Sequence, residues 1–174
     1  MSNFNVLKSL SLSNGEIITY REEGAGGKTL LLIHGNMSSS KHWDILAEKL
    51  KDTYKIIAVD MRGFGGSSYN TPINSLNDFA KDIEEVLDIL KIEKCSVIGW
   101  STGGGVALEL SANIKEKIEK VILLESVGIK GYPIPRKDEN GIPTAELLKT
   151  KEEIFLRTKE VKNKKTKEQK FLYS

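Results

Sequence analysis

Two residue types that often carry chemistry are scarce in this 174-residue chain, which has one cysteine, Cys95, and two histidines, His34 and His42. A single cysteine excludes an intramolecular disulfide framework and fits a reducing compartment, so a cytoplasmic protein is expected. Because Cys95 lies in an apolar stretch, an inert buried thiol is favoured over a reactive one.

Long apolar runs and a strong net charge are also absent. No stretch approaches the length that spans a membrane, and the first residues lack the basic and apolar segments of a signal peptide. The formal net charge is only +2, so nothing global points to nucleic acid. The sequence therefore predicts neither a membrane nor a nucleic acid as a partner.

Apolar, β-forming runs alternate with helical patterns along the chain. The pair Asn14-Gly15 lies between two such runs and predicts an antiparallel hairpin. The predicted strands are Val6–Leu12, Glu16–Arg21, Thr29–Ile33, Lys55–Val59, Cys95–Ile98 and Lys120–Leu124. The predicted helices are Ser40–Lys51, Ser75–Leu90 and one that starts at Gly103. This alternation predicts an α/β fold with a mostly parallel sheet, helices on both faces and an antiparallel N-terminal hairpin.

The pattern changes after Glu125, where the chain becomes irregular. Ala145–Arg157 is predicted to form a short helix. Lys159–Lys170 is almost wholly polar, which is typical of a solvated helix or a disordered tail. We therefore predict one domain over residues 1–127 and a separate segment over residues 128–174.

The most specific motif is the G-W-S-T-G sequence from Gly99 to Gly103. It matches G-x-S-x-G, in which a serine occupies a sharp turn between a strand and a helix. Glycines are needed there because a side chain would collide with the neighbouring strand or helix. Ser101 is therefore a candidate nucleophile, and the alternative is a serine that only caps the helix.

Two further motifs follow predicted strands earlier in the chain. His34-Gly35 follows one buried strand, and D-M-R-G-F-G-G-S, from Asp60 to Ser67, follows the next. Together with the Ser101 motif, they make the chain resemble the N-terminal part of an α/β-hydrolase. The resemblance covers roughly Val6 to Ser126 and, more weakly, the segment that follows, which is similar to the start of a cap or lid.

The resemblance implies an acyl-transfer site for a small ester, thioester or related acyl compound, with no cofactor or metal. Ser101 would attack the acyl carbon. The backbone N–H groups of Thr102 and Asn36 would bind the oxyanion, with Met37 as the alternative to Asn36. The expected substrate-binding residues are Gly35, Met37 and Trp100. For Trp100, packing in the core is an equal alternative.

Three other polar residues are assigned by the same resemblance, and His42 is assigned by its position near a predicted helix start. His34 is expected to brace the oxyanion turn rather than act as a base, and His42 to be a surface or packing residue. Arg62 is expected to shape the loop beside the Ser101 turn. Glu125 ends the last predicted strand and is a candidate acid that could orient a histidine; a surface carboxylate is the alternative.

The match to the family breaks after the serine. The family order is Ser, acid, His, and no histidine follows Ser101. The chain thus looks like the first two-thirds of a hydrolase, either truncated or in need of a partner, and weak activity is expected. The alternatives are an inactive relic or small-molecule binding module, and carbon–carbon bond hydrolysis on the same fold. The strand Lys120–Leu124 would have an unpaired outer edge, so self-association through it is expected.

Overall fold

The computed structural model describes Phe4 and residues 6–128, 135–140 and 142–147. These residues divide between two compact units, one within Met1–Gly131 and the other within Tyr132–Ser174. The boundary at residues 127 and 128 stays a prediction.

The first unit alternates strands and helices in the order that the sequence predicts. Its strands are β1 Lys8–Ser11, β2 Ile17–Glu23, β3 Lys28–Ile33, β4 Tyr54–Val59, β5 Cys95–Trp100 and β6 Ile118–Leu124. Its helices are a 3₁₀ helix Ser40–Trp43, α1 Asp44–Leu50, α2 Leu76–Ile89 and α3 Thr102–Asn113. Among the described residues, no helix has both the length and the apolar character needed to cross a membrane.

The six strands form one sheet in the order β1-β2-β4-β3-β5-β6. The β4/β3, β3/β5 and β5/β6 pairs are parallel, whereas β1/β2 and β2/β4 are antiparallel. The predicted α/β class is therefore confirmed, with its mostly parallel sheet and antiparallel N-terminal hairpin.

Two apolar clusters lie on the two faces of this sheet. One contains the buried stripe of α2 and the inner side of α3, and the other contains Ala47 of α1 with Trp43 and Phe4. The strands between them are apolar without alternation because both of their faces are covered. The first residues of α2 are fixed by a capping box in which Ser75 and Asp78 each bond the other's backbone.

The last strand of the sheet differs from the central ones. Three consecutive side chains of β6, Ile122, Leu123 and Leu124, are 45%, 43% and 41% exposed. Within the part of the chain that the structure describes, β6 pairs only with β5. The outer edge of β6 is thus bare and apolar there, as the sequence predicts.

The second unit contains a two-stranded antiparallel sheet, β7 Pro135–Lys137 and β8 Pro143–Leu147. The predicted helix starting at Ala145 is therefore wrong over residues 145–147, and the rest of it lies outside the described residues. The reason is the turn at Asp138, whose carboxylate accepts the amides of Asn140 and Ile142 at 2.9 Å each. This side-chain turn returns the chain to pair with β7. The predicted tail at 159–170 also lies outside the described residues.

Candidate active site

Ser101 lies in a strained turn between β5 and α3. Its backbone has φ 53° and ψ −117°, a sparsely populated positive-φ conformation that costs a non-glycine residue about 1–3 kcal/mol. Its N–H donates to the Leu124 carbonyl at 2.9 Å, and its carbonyl accepts the amides of Gly104 and Val127, each at 3.0 Å. The turn is therefore held from both sides, by the end of β6 and by the first residues of α3.

Close backbone approach explains the glycines around Ser101. A Cβ on Gly99 would lie 2.4 Å from the Gly103 carbonyl oxygen. A Cβ on Gly103 would lie 2.3 Å from the Ile33 oxygen and 2.4 Å from the His34 oxygen. Since backbone atoms cannot move away cheaply, any side chain at these two positions would force the turn apart.

The turn after β3 lies directly against Ser101. A Cβ on Gly35 would lie 3.0 Å from the Ser101 Cβ and 2.8 Å from Cε3 of Trp100. Asn36 and Met37 follow on the exposed rim of this turn, and Met37 has a positive φ of 57°. The structure therefore brings the turn after β3 and the Ser101 turn together.

Thr102 is the first residue of α3. The amides in the first turn of a helix have no acceptor within the helix, and they lie at the positive end of its dipole. The Thr102 N–H is thus chemically suited to bind an anionic oxygen that forms next to Ser101.

Trp100 is half-buried and touches both the core and the site. It packs against the apolar cluster on the α1 face, and its ring edge approaches Gly35. His42 is exposed and stacks on it, with ring centroids 4.2 Å apart and planes 2° from parallel. The contact between His42 and Trp100 was not predicted, and the sequence offers no clear signal for it.

Both ring nitrogens of buried His34 are engaged. Nε2 accepts the Met61 N–H at 3.0 Å, so the proton is on Nδ1, which donates to the Gly35 carbonyl at 2.7 Å. Burial lowers the pKa of this imidazole. In this arrangement His34 braces the turn after β3 and has no nitrogen available to accept a proton from Ser101.

Asp60 and Arg62 are both buried and fix the loop that follows β4. The guanidinium of Arg62 donates through two nitrogens to Asp82 of α2 and through Nη1 to the Thr71 hydroxyl at 2.7 Å. The bonds to Asp82 raise the pKa of Arg62. Arg62 therefore acts on the loop rather than on the Ser101 turn.

Glu16 is the centre of this network and was missed by sequence reasoning. Its fully buried carboxylate accepts the hydroxyls of Ser68 and Thr71 and the amides of Asn70 and Thr71. Burial raises the pKa of Glu16, but these bonds outweigh it and lower the pKa to about 2. One feature of the sequence could have indicated a buried charge network here. Asp82 lies among the buried apolar side chains of α2, and an acid in that position needs a buried partner.

Glu125 lies at the end of β6, is exposed and has a positive φ of 42°. Among the described residues, no hydrogen bond or ion pair joins it to His34 or His42. The structure therefore brings together Gly35, Trp100, Ser101 and the start of α3, and it places no acid–histidine pair beside them in the described part of the chain.

Comparison with known proteins identifies the family. A family model described as alpha/beta hydrolase fold matches residues 28–164, which is more than half of the chain. The esterase YbfF of Escherichia coli is 32% identical over 110 residues, which cover 63% of this chain and 42% of that protein. The 2-hydroxymuconate semialdehyde hydrolase of a Pseudomonas species is 32% identical over 122 residues, which cover 68% of this chain and 43% of that protein.

A solved structure of a hydrolase from Pseudomonas aeruginosa superposes with a TM-score of 0.67 and 28% sequence identity. The match covers 72% of this chain and 48% of that one. The chain thus spans less than half the length of these relatives. The residues that the family model matches, 28–164, include Ser101 and the turn after β3, and the chain belongs to the α/β-hydrolase family.

Proposed function

We propose that this chain carries the nucleophile and the oxyanion donors of a serine hydrolase that acts on a carboxylic ester or a related acyl compound. The observation that carries the proposal is the position of Ser101. It occupies a positive-φ turn at the start of α3, and the turn after β3 comes so close that a Cβ on Gly35 would lie 3.0 Å from the Ser101 Cβ.

The proposed reaction begins when Oγ of Ser101 adds to the acyl carbon and its proton passes to a base. The carbonyl oxygen becomes an oxyanion that accepts hydrogen bonds from the Thr102 and Asn36 amides. Loss of one such donor typically costs 10²–10³ in turnover. The leaving group then departs with a proton, and water hydrolyses the acyl-enzyme in a second addition.

The base is the missing part of this scheme. His34 has both nitrogens engaged, and among the described residues no hydrogen bond joins His42, which stacks on Trp100, to Ser101. We therefore propose that turnover by this chain alone is weak. Its rate should exceed the uncatalysed rate by about 10³–10⁴, which is the acceleration that remains when triad members are removed. Glu125 remains a candidate acid, for which a histidine partner is needed.

The names of the relatives support an ester substrate. The Escherichia coli relative is called an esterase, and a 32% identical relative from Aeromonas salmonicida is a pimeloyl-[acyl-carrier protein] methyl ester esterase. The 2-hydroxymuconate semialdehyde hydrolase supports the alternative substrate class, in which a carbon–carbon bond is hydrolysed.

We also propose a cytoplasmic location, since the single cysteine fits a reducing compartment.

A fluorophosphonate probe tests the proposal directly. Ser101 Oγ would form the bond to phosphorus, fluoride would leave, and the hydroxyl proton would pass to buffer. We expect labelling of the wild-type chain and of Ser111→Ala, a control on the same helix, and no labelling of Ser101→Ala. Hydrolysis of an aryl ester, measured in parallel, should be slow and should depend on Ser101. Absence of both labelling and hydrolysis would favour the small-molecule binding module.

A further inference from the structure

The turn that faces Ser101 is held at both of its ends by consecutive residues of the loop after β4. At the first end, His34 accepts the Met61 amide at 3.0 Å. At the far end, the Ser40 amide donates to Oδ1 of Asp60 at 2.5 Å. Gly35, Asn36 and Met37 lie between these two attachments.

Asp60 is itself fixed in place. It is 1% exposed, and its second oxygen accepts the Thr19 hydroxyl at 2.7 Å and the Gly66 amide at 3.0 Å. Burial raises the pKa of Asp60. The hydrogen bonds from the amides of Gly66 and Ser40 and from the Thr19 hydroxyl lower it by more, so the pKa lies below its ordinary value. The carboxylate is therefore charged at neutral pH and bonded on both oxygens, which leaves it no freedom to swing away from Ser40.

The segment between the two attachments is under strain. Met37 has a φ of 57°, a left-handed conformation that a non-glycine residue adopts only when its surroundings enforce it. The two end attachments restrain the segment that contains Met37, and release of either end would let the turn relax.

We propose that Asp60 is a positioning residue of this site: by fixing Ser40, it sets the distance between the Asn36 amide and Ser101. The inference rests on the proposed function, in which that amide binds the oxyanion. Asp60 does not touch the substrate in this scheme. Its effect is transmitted through Ser40 and the strained turn, whereas Arg62 and Glu16 hold the distal part of the same loop.

Asp60→Asn tests the proposal because an amide nitrogen replaces one carboxylate oxygen. In one orientation the Ser40 amide then faces a donor, and in the other it keeps only a neutral amide oxygen, which accepts more weakly than a carboxylate. The matched control is Asp82→Asn, another buried carboxylate, 2% exposed, which binds Arg62 but does not contact the segment from His34 to Ser40. Both variants lose a charged hydrogen bond in the core, but only the first loosens the turn.

The first measurement is the saturation kinetics of fluorophosphonate labelling, scored per folded protein. For Asp60→Asn we expect the maximal labelling rate to fall 10- to 100-fold, the size that an ångström-scale misplacement produces. The half-saturating probe concentration should change less than about 3-fold, since ground-state contacts are kept. Asp82→Asn should label at the wild-type maximal rate. Equal rates in the two variants would overturn the proposal.

A graded variant keeps the test decisive if Asp60→Asn does not fold. Thr19→Val removes one of the donors to Asp60 and suits a strand position. We expect a 2- to 5-fold lower maximal labelling rate than in Asp82→Asn. A rate in Thr19→Val that matches Asp82→Asn would count against the proposal.

Amide hydrogen exchange at residues 36–39 separates this inference from the proposed function. If the wild-type chain is not labelled, the proposed function fails, while the exchange rates still report how the turn is held. Faster exchange in Asp60→Asn than in Asp82→Asn would support positioning by Asp60. Unchanged exchange at these four residues would overturn it whatever the labelling shows.

Discussion

The two ends of the main sheet differ: buried charges hold one end, and the other is bare and apolar within the described residues. At the β1–β2 end, the buried charges of Glu16, Arg62 and Asp82 tie the hairpin, the loop after β4 and helix α2 to one another. At the other end, β6 presents Ile122 and its apolar neighbours to solvent, within the described residues.

The candidate site depends on both ends. The Ser101 amide donates to the Leu124 carbonyl of β6, so the Ser101 turn is attached to the bare end. The turn at Gly35 is attached through its two end residues to Asp60 and Met61 at the start of the loop after β4, whereas the buried charges hold the distal part of that loop. The comparison teaches that the Ser101 turn and the turn at Gly35 are held in place by two structurally different supports, which can be weakened separately.

The largest expected effect is at the charged end. Glu16→Gln keeps the shape of the side chain but places an amide nitrogen against the Asn70 and Thr71 amides. We expect the free energy of unfolding to fall by about 3 kcal/mol, measured by urea denaturation. Glu22→Gln is the control, since its ion pairs with Lys8 and Lys55 are partly exposed and should be worth under about 1 kcal/mol. Equal losses would remove the distinction between a buried hub and a surface pair.

Acid should weaken the charged end through the same residue. The pKa of Glu16 is about 2 in the folded chain against an ordinary 4.5. Because the folded pKa is the lower one, its contribution is fully present above pH 4.5 and is lost as the pH falls toward 2. The free energy of unfolding should therefore drop across this window in the wild-type chain and less steeply in Glu16→Gln. Parallel curves for the two proteins would contradict this role.

The sequence was sufficient for the sheet and for the Ser101 turn because their signals are local. Apolar runs, Asn14-Gly15 and the glycines around Ser101 each act within a few residues. The charged hub could not be read in this way, since Glu16 bonds residues more than 50 positions away. The helix predicted at Ala145 is wrong over residues 145–147 because strand pairing from the Asp138 turn outweighs local helix preference there. The catalytic roles of Ser101, Thr102 and Asn36 stay proposals.

A smaller effect is expected at the contact between His42 and Trp100, beside the Ser101 turn. His42→Ala removes the ring stacked on Trp100, and such aromatic pairs contribute about 0.5–1.5 kcal/mol. We expect a loss of about 1 kcal/mol in stability and a labelling rate that changes more for bulky phosphonates than for small ones, because Trp100 borders Gly35. Lys41→Ala, at the exposed preceding residue, is the control. A size-independent change would argue that Trp100 is a core residue only.

The smallest effect on stability, and a large one on assembly, is expected at the bare end. Leu123 is 43% exposed on β6, and an unpaired apolar edge is a template for pairing with a second copy of the chain. Leu123→Lys should change the free energy of unfolding by less than about 0.5 kcal/mol while disfavouring that pairing, since two lysines would be brought together.

Size-exclusion chromatography with light scattering should show the wild-type chain larger than a monomer, with a mass that rises with concentration, and Leu123→Lys closer to the monomer mass. Ile45→Lys is the matched control: it adds the same charge at an apolar residue of α1 that is 76% exposed and lies away from the edge. If Ile45→Lys shifts the mass as much as Leu123→Lys, general solubility and not the β6 edge controls assembly. A monomeric wild-type chain at high concentration would show that this edge does not pair, and the contrast between the two ends would then concern stability alone.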